Sequence, residues 1–234
     1  MGKRLQGSDQ KTNIEQRGLV GGTPEWRLRK GRKIVIDHPL FLDQDEGEAC
    51  ARELASFVGE AQVLLEVGFG KGQFLLELAR MNPQARVLGF EVRSKYLKIA
   101  LRRLEKAGVD NARLVLGDAR WAMPRLVAPQ SLDAFFLMFP DPWWKKRHHK
   151  KRFLDEQTLA TLKSLLKPNA LLVVRSDVPL VLDLANDILG ADPEIVNVGD
   201  AGMDLPVTDR ERTCAETGTP VDQMVYRFIG EREV

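Results

Sequence analysis

From about residue 40 onward, short apolar runs alternate with longer stretches whose hydrophobic residues recur at helical spacing. Val63-Leu64-Leu65-Glu66-Val67 reads as a buried strand, and Gln73–Met81 as a helix halted by Asn82-Pro83. Arg86–Val92 predicts a second strand. Ser94–Ala107 predicts a second helix, with Ser94 as its N-cap and Gly108 as its stop. Leu114–Leu116 and the almost wholly apolar Leu132–Phe139 follow as strands, then Asp155–Leu166 as a helix. Ala170–Arg175 is a further strand, Leu180–Leu189 a helix, and Ile195–Val198 and Met224–Ile229 are late strands. Apolar strands separated by helices predict a mostly parallel α/β sheet covered on both faces. Residues 1–38 are polar and aperiodic, and read as a basic N-terminal arm ahead of one domain spanning 39–234.

Composition narrows the class. With 44% hydrophobic and 29% charged residues, the 234-residue chain can bury a large core, which excludes a wholly disordered protein. No apolar run approaches the roughly 18 residues of a membrane helix, and no apolar leader core is visible, so neither membrane insertion nor secretion is expected. Two distant cysteines, Cys50 and Cys214, build no disulfide framework and no zinc spacing, which points to a reducing cytoplasm. The net charge of +2 hides an asymmetry. Residues 1–33 carry nine Lys/Arg against three acids, and residues 143–152 carry six Lys/Arg and two His with no acid. Two such blocks suggest a polyanionic partner, the plainer alternative being a solvated tail and a solvated loop.

The first strand runs into Glu66-Val67-Gly68-Phe69-Gly70-Lys71-Gly72 and then a helix. Glycines at a strand-to-helix turn let a ligand approach the backbone closely. A dinucleotide fingerprint wants a small residue at position 73, which is Gln, and no Gly-Lys-Ser/Thr is present for a phosphate loop. The spacing fits instead a loop holding the amino-acid part of S-adenosylmethionine. Glu91 ends the next strand about 20 residues on, where a carboxylate can accept both ribose hydroxyls. Asp118 ends the third strand and can accept an adenine amino group beside the Ala119 backbone. Each acid alone reads equally as a helix cap; three carboxylates and three glycines on one rim favour a nucleoside-type cofactor.

The fourth long apolar strand ends in Phe139-Pro140-Asp141-Pro142-Trp143-Trp144-Lys145-Lys146-Arg147-His148-His149-Lys150-Lys151-Arg152. Two prolines stiffen the chain around Asp141. The tryptophans can stack on a base and the cations can hold phosphates. A proline corner with buried tryptophans would explain Trp143, but not the run of cations.

These residues resemble the bacterial tRNA (guanine-N7)-methyltransferases, which modify guanine 46 in the variable loop. The resemblance covers roughly residues 60–230 and is carried by Glu66–Gly72, Gly89-Phe90-Glu91-Val92, Asp118-Ala119 and, most specifically, Phe139–Arg152. Asp177, in Arg175-Ser176-Asp177, matches the family's acid after the fifth strand. Thr208-Asp209-Arg210-Glu211 lies where the family has Thr-Lys-Phe-Glu. The resemblance implies a class I S-adenosylmethionine-dependent methyltransferase: a Rossmann-like, seven-stranded sheet with a reversed last strand and helices on both faces. It implies a donor site formed by Glu66, Gly68, Gly70, Gly72, Glu91, Asp118, Ala119 and Asp141, with Asp141 also catalytic. It implies a substrate site formed by Lys145, Arg147, Lys150, Asp177, Thr208 and Glu211, together with Asp209 and Arg210, whose side chains depart from the family pattern. Thr-x-x-Glu is also a capping box, so a structural role stands beside the functional one. The partner implied is tRNA, with no metal; monomer and homodimer are both compatible with the chain. The alternatives are a non-catalytic RNA-binding protein on this scaffold, a small-molecule methyltransferase, which should lack the basic run, and a dinucleotide oxidoreductase, disfavoured by Gln73.

Overall fold

The computed structural model describes residues 38–42, 47–199 and 203–230, apart from the side chains of Lys146 and Lys150. The basic arm expected at 1–38 therefore lies outside the described residues, except for His38.

Among the described residues, eight strands and seven helices follow one another, with a 3-10 turn after the fifth strand. They are β1 (Phe41–Leu42), α1 (Glu48–Val58), β2 (Val63–Val67), α2 (Gln73–Met81), β3 (Arg86–Glu91), α3 (Ser94–Lys106), β4 (Ala112–Leu116), α4 (Ala119–Leu126) and β5 (Leu132–Met138). The 3-10 turn spans Lys146–Lys151, and α5 (Glu156–Leu165), β6 (Leu166–Ser176), α6 (Pro179–Leu189), β7 (Ile195–Gly199), α7 (Asp209–Thr217) and β8 (Asp222–Phe228) complete the described elements.

The sheet order is β1-β4-β3-β2-β5-β6-β8-β7. Pairing is parallel from β1 across to β6, and β8 runs antiparallel to both β6 and β7. The reversed last strand is as expected. The count among the described residues is eight rather than seven because the two-residue β1 adds to the edge of β4.

Burial explains why these segments are strands. Every residue of β2 is buried. Leu65, Val67, Phe135, Leu137 and Val174 pack on one face with α1, α4, α5 and α6. Leu64, Val87, Leu114, Phe136 and Val173 pack on the other with α2 and α3. A strand covered on both sides must be apolar at successive positions. That makes Glu66, inside β2 and 2% exposed, the anomaly of the central strand.

Several boundaries differ from the sequence reading. The N-cap of α3 is Arg93 rather than Ser94, and no side chain bonds there. β6 begins at Leu166 directly after α5, four residues earlier than expected. Helices α1, α4 and α7 are additional to the elements expected from the pattern. α4 has Pro124 inside it, which in sequence reads as a breaker.

Candidate active site

Strand β2 stops at Val67, and Gly68, Gly70 and Gly72 all take left-handed backbone, with φ of 76°, 54° and 74°. Side chains with a Cβ rarely adopt that conformation, so the turn requires glycine. Around Gly68 and Gly70 the place a Cβ would occupy is open for 4 Å, whereas at Gly72 it would stand 2.6 Å from Ala100 Cβ. Thus the first two glycines leave room above the loop, and the third lets α2 approach α3.

The loop is bonded to the end of β3. Gly68 N–H donates to the Phe90 carbonyl at 2.8 Å, and Gly70 N–H donates to Glu91 Oε2 at 3.0 Å. Glu91 Oε1 accepts from Arg93 N–H at 2.8 Å. Each carboxylate oxygen keeps a second lone pair for a ligand. Burial raises the Glu91 carboxyl above its ordinary value, partly offset by these backbone donors.

Glu66 is more perturbed. Burial, and secondarily the Glu91 charge, push its carboxyl up to about 8. Its Oε2 is buried without a hydrogen-bond partner. An orphaned acceptor beside an open glycine turn fits a ligand that brings a positively charged donor. An amino-acid ammonium is such a group, so these residues fit the α-amino end of S-adenosylmethionine.

Asp118 is committed to its own helix. It caps α4 by accepting from Arg120 N–H at 3.1 Å, and pairs bidentately with the Arg120 guanidinium at 3.0 and 2.6 Å. The capping alternative is thus realised. Ala119, the first residue of α4, is buried at that amino end.

Asp141 stands three residues past β5. Phe139 and Trp143 on either side of the Pro-Asp-Pro turn have left-handed φ of 50° and 45°, and Phe139 N–H is held by the Arg175 carbonyl at 2.8 Å. Non-glycine residues in that region are costly, so the surrounding structure holds the corner in place. The Asp141 carboxylate is exposed and lies 3.5 Å from Arg93 Nη2. Beside it a small cleft opens to solvent, lined by Leu137, Val174, Val181 and Ile188 with Pro140 and Pro142. Trp143 is half-buried and organises the basic loop: Lys151 Nζ lies 4.8 Å over its ring and His148 meets its edge at 5.7 Å. Trp144, Lys145 and Arg147 are exposed, and the Lys150 side chain lies outside the described residues.

A second cluster forms where β6 ends. Asp177 pairs with Arg210, which holds its carboxyl below the usual range. Thr208 and Glu211 form the reciprocal capping box of α7. Glu211 also accepts from Arg175 Nη1 at 2.8 and 2.9 Å, and Asp209 pairs with Arg103 at 3.1 Å. Arg175 is buried and spends its remaining donors on the Pro206 carbonyl and on Gln223 Oε1. The structure therefore joins Glu66, the glycine turn and Glu91 in one group, and Asp177 with Thr208–Glu211 in another. Sequence reasoning misses the arginines 93, 103 and 175 that tie these parts. Only Arg175 carries a signal, since a cation ending an apolar strand must find a buried partner.

Among the described residues, no group of three or more His, Cys, Asp or Glu is arranged to hold a metal ion, and no helix is long and apolar enough to cross a membrane.

Comparison with known proteins gives the family and the fold. The family described as putative methyltransferase matches residues 60–223. The tRNA (guanine-N(7)-)-methyltransferase of Paraburkholderia xenovorans is 35% identical over 178 residues, covering 74% of this chain and 68% of that protein. The protein of the same name from Nocardia farcinica is 31% identical over 215 residues, covering 86% and 76%. Among solved structures, the aminoglycoside resistance methyltransferase NpmB1 superposes with a TM-score of 0.57 at 20% identity, covering 76% of this chain and 93% of that one. A SAM-dependent methyltransferase from Aquifex aeolicus superposes with a TM-score of 0.51 at 18% identity, covering 77% and 89%. At such identities the structures share the fold.

Proposed function

We propose, because the chain belongs to the family of bacterial tRNA (guanine-N7)-methyltransferases, that it transfers a methyl group from S-adenosylmethionine to N7 of guanine 46 in the tRNA variable loop. The observation that carries the donor half of this reading is the buried, unpartnered Glu66 oxygen beside the open glycine turn and Glu91. Glu66 would meet the ammonium, Glu91 the ribose hydroxyls, and the loop backbone the rest of the amino-acid part. Asp118 and Ala119 would border the adenine, with Arg120 giving up part of its hold on Asp118. When bound, the donor supplies an electrophilic methyl group on a sulfonium.

Guanine N7 has an exposed lone pair, so no side chain need remove a proton there. Alignment of the two reactants is the enzyme's first task. Methylation places positive charge on the purine, which makes its N1–H and exocyclic amine stronger donors. Asp141, fixed by its two prolines beside a small apolar cleft, would accept from that edge more strongly as the charge develops. Asp177 would help orient the base, and Thr208–Glu211 would form the wall beside it. Lys145, Arg147, Lys150 and the basic arm would contact phosphates, positioning the tRNA without reading sequence. The work belongs in the cytoplasm, where unmodified tRNA is available.

The test is to incubate the protein with labelled donor and unmodified tRNA, digest the product and identify the labelled nucleoside. 7-Methylguanosine from position 46 is expected. RNA binding with no labelled nucleoside would favour the non-catalytic alternative.

A further inference from the structure

Both carboxylates assigned to the base are paired with arginines in the free protein. Asp141 faces Arg93, and Asp177 faces Arg210. The two acids follow adjacent parallel strands, with Met138 of β5 in register with Arg175 of β6. The two arginines come from elsewhere. Arg93 leaves the end of β3 with its N–H fixed on Glu91, and its guanidinium lies 5.4 Å over the Tyr96 ring. Arg210 is the second residue of α7, near a helix amino end, where a cation is disfavoured and needs an anion beside it. Both arginine side chains remain more than half exposed, at 56% and 54%, so each guanidinium keeps donors facing solvent.

A guanine edge must displace Arg210 to reach the paired oxygen of Asp177, which is 10% exposed, and competes with Arg93 for one oxygen of Asp141, which is 59% exposed. A free nucleoside brings nothing to receive the displaced guanidinium. A nucleotide within RNA brings phosphates on both sides, which match the planar fork of arginine. Ion pairs that reach solvent are weak, so the exchange is cheap when a phosphate is at hand and restrains the site when none is.

We propose that Arg93 and Arg210 compete with the base for Asp141 and Asp177 until RNA phosphates draw them away, so that the base site favours guanine in a polynucleotide over free guanosine. This rests on the reading of Asp141 and Asp177 as base contacts. The two arginines are specificity-determining residues of the same site. Each pairing should restrain guanosine by about five-fold, the equilibrium factor of a pair near the upper end for exposed ion pairs.

The experiment uses the full chain as wild type, Arg93→Gln, Arg210→Gln and the double variant, each with saturating labelled donor. Methyl transfer is measured to unmodified tRNA and to guanosine, and tRNA binding is measured across a salt series. The double variant should methylate guanosine at least ten-fold faster than wild type while its kcat/KM for tRNA falls. Its log–log salt slope should flatten by about 1.5, since each phosphate no longer neutralised removes roughly 0.7–0.9. Arg93→Gln alone carries the Asp141 half should Arg210→Gln weaken α7. An unchanged guanosine rate, guanosine left unmethylated by all four proteins, an unchanged salt slope, or an equal loss on both substrates would each overturn the competition. Failure of wild type on tRNA would instead sink the underlying reading, and is distinguishable because that reaction is run alongside.

Discussion

Replacing Glu66 by Gln should make the free protein more stable at pH 8 than at pH 5, relative to wild type. The carboxyl is 2% exposed, its Oε2 has no partner, and its ordinary value of 4.5 is pushed up to about 8. Between those values the folded state holds a proton that the unfolded state releases. The unfolded state therefore binds fewer protons, and stability falls as pH rises. Applying the linkage relation to the two values, wild type loses about 3 kcal/mol from this one group between pH 5 and 8. Glutamine cannot titrate, so the stability difference between variant and wild type should widen by about that amount over this window. Glu91, also raised by burial, adds a loss of the same sign to both proteins and cancels in the difference. Urea unfolding of both proteins at half-unit pH intervals, without donor, measures it. Parallel stability curves from pH 5 to 8 would refute the reasoning and show Glu66 ionised throughout.

Glu91→Ala should weaken donor binding by about 1.5–3 kcal/mol, the cost of losing a charge-assisted hydrogen-bonding group, and leave the fold intact; calorimetric titration with unchanged affinity would reject the ribose assignment. Asp141→Asn should slow single-turnover methyl transfer by roughly 10²–10³-fold with little change in tRNA affinity, as for other preorganised charge stabilisers. A wild-type rate there would move the role to Asp177. Replacing Lys145, Arg147 and Lys150 together should flatten the salt dependence of tRNA binding by roughly one slope unit for each phosphate these cations neutralise; the same slope in both proteins would remove the basic loop from the interface.

The central sheet is legible in the sequence because its strands are buried on both faces and so appear as mostly apolar runs, interrupted only by Glu66 in Val63–Val67 and by Asp133 in Leu132–Met138. Strand β1 is not legible, because two residues carry no period. Helix α4 is obscured by Pro124, although Asp118 reads as a possible cap and is one. The Thr208–Glu211 box is visible as a four-residue pattern, and it forms. The ion pairs that organise the site are not visible. Arg210 and Asp177 lie 33 residues apart, and Arg103 and Asp209 lie 106 apart. Which cation an acid finds across such distances is fixed by tertiary packing, while local sequence sets only its charge. The same holds for Glu66: its position beside glycines marks a donor site, but its unpartnered oxygen is evident only once the neighbouring strands enclose it.

The most direct measurement is the identity and position of the methylated nucleoside. Unmodified tRNA is treated with the protein and labelled S-adenosylmethionine, digested with a nuclease of known specificity, and each fragment is weighed and its nucleosides separated. One added methyl group on the fragment holding guanine 46, recovered as 7-methylguanosine, is the expected result. Label in any other nucleoside, at any other position, or none at all would contradict the account.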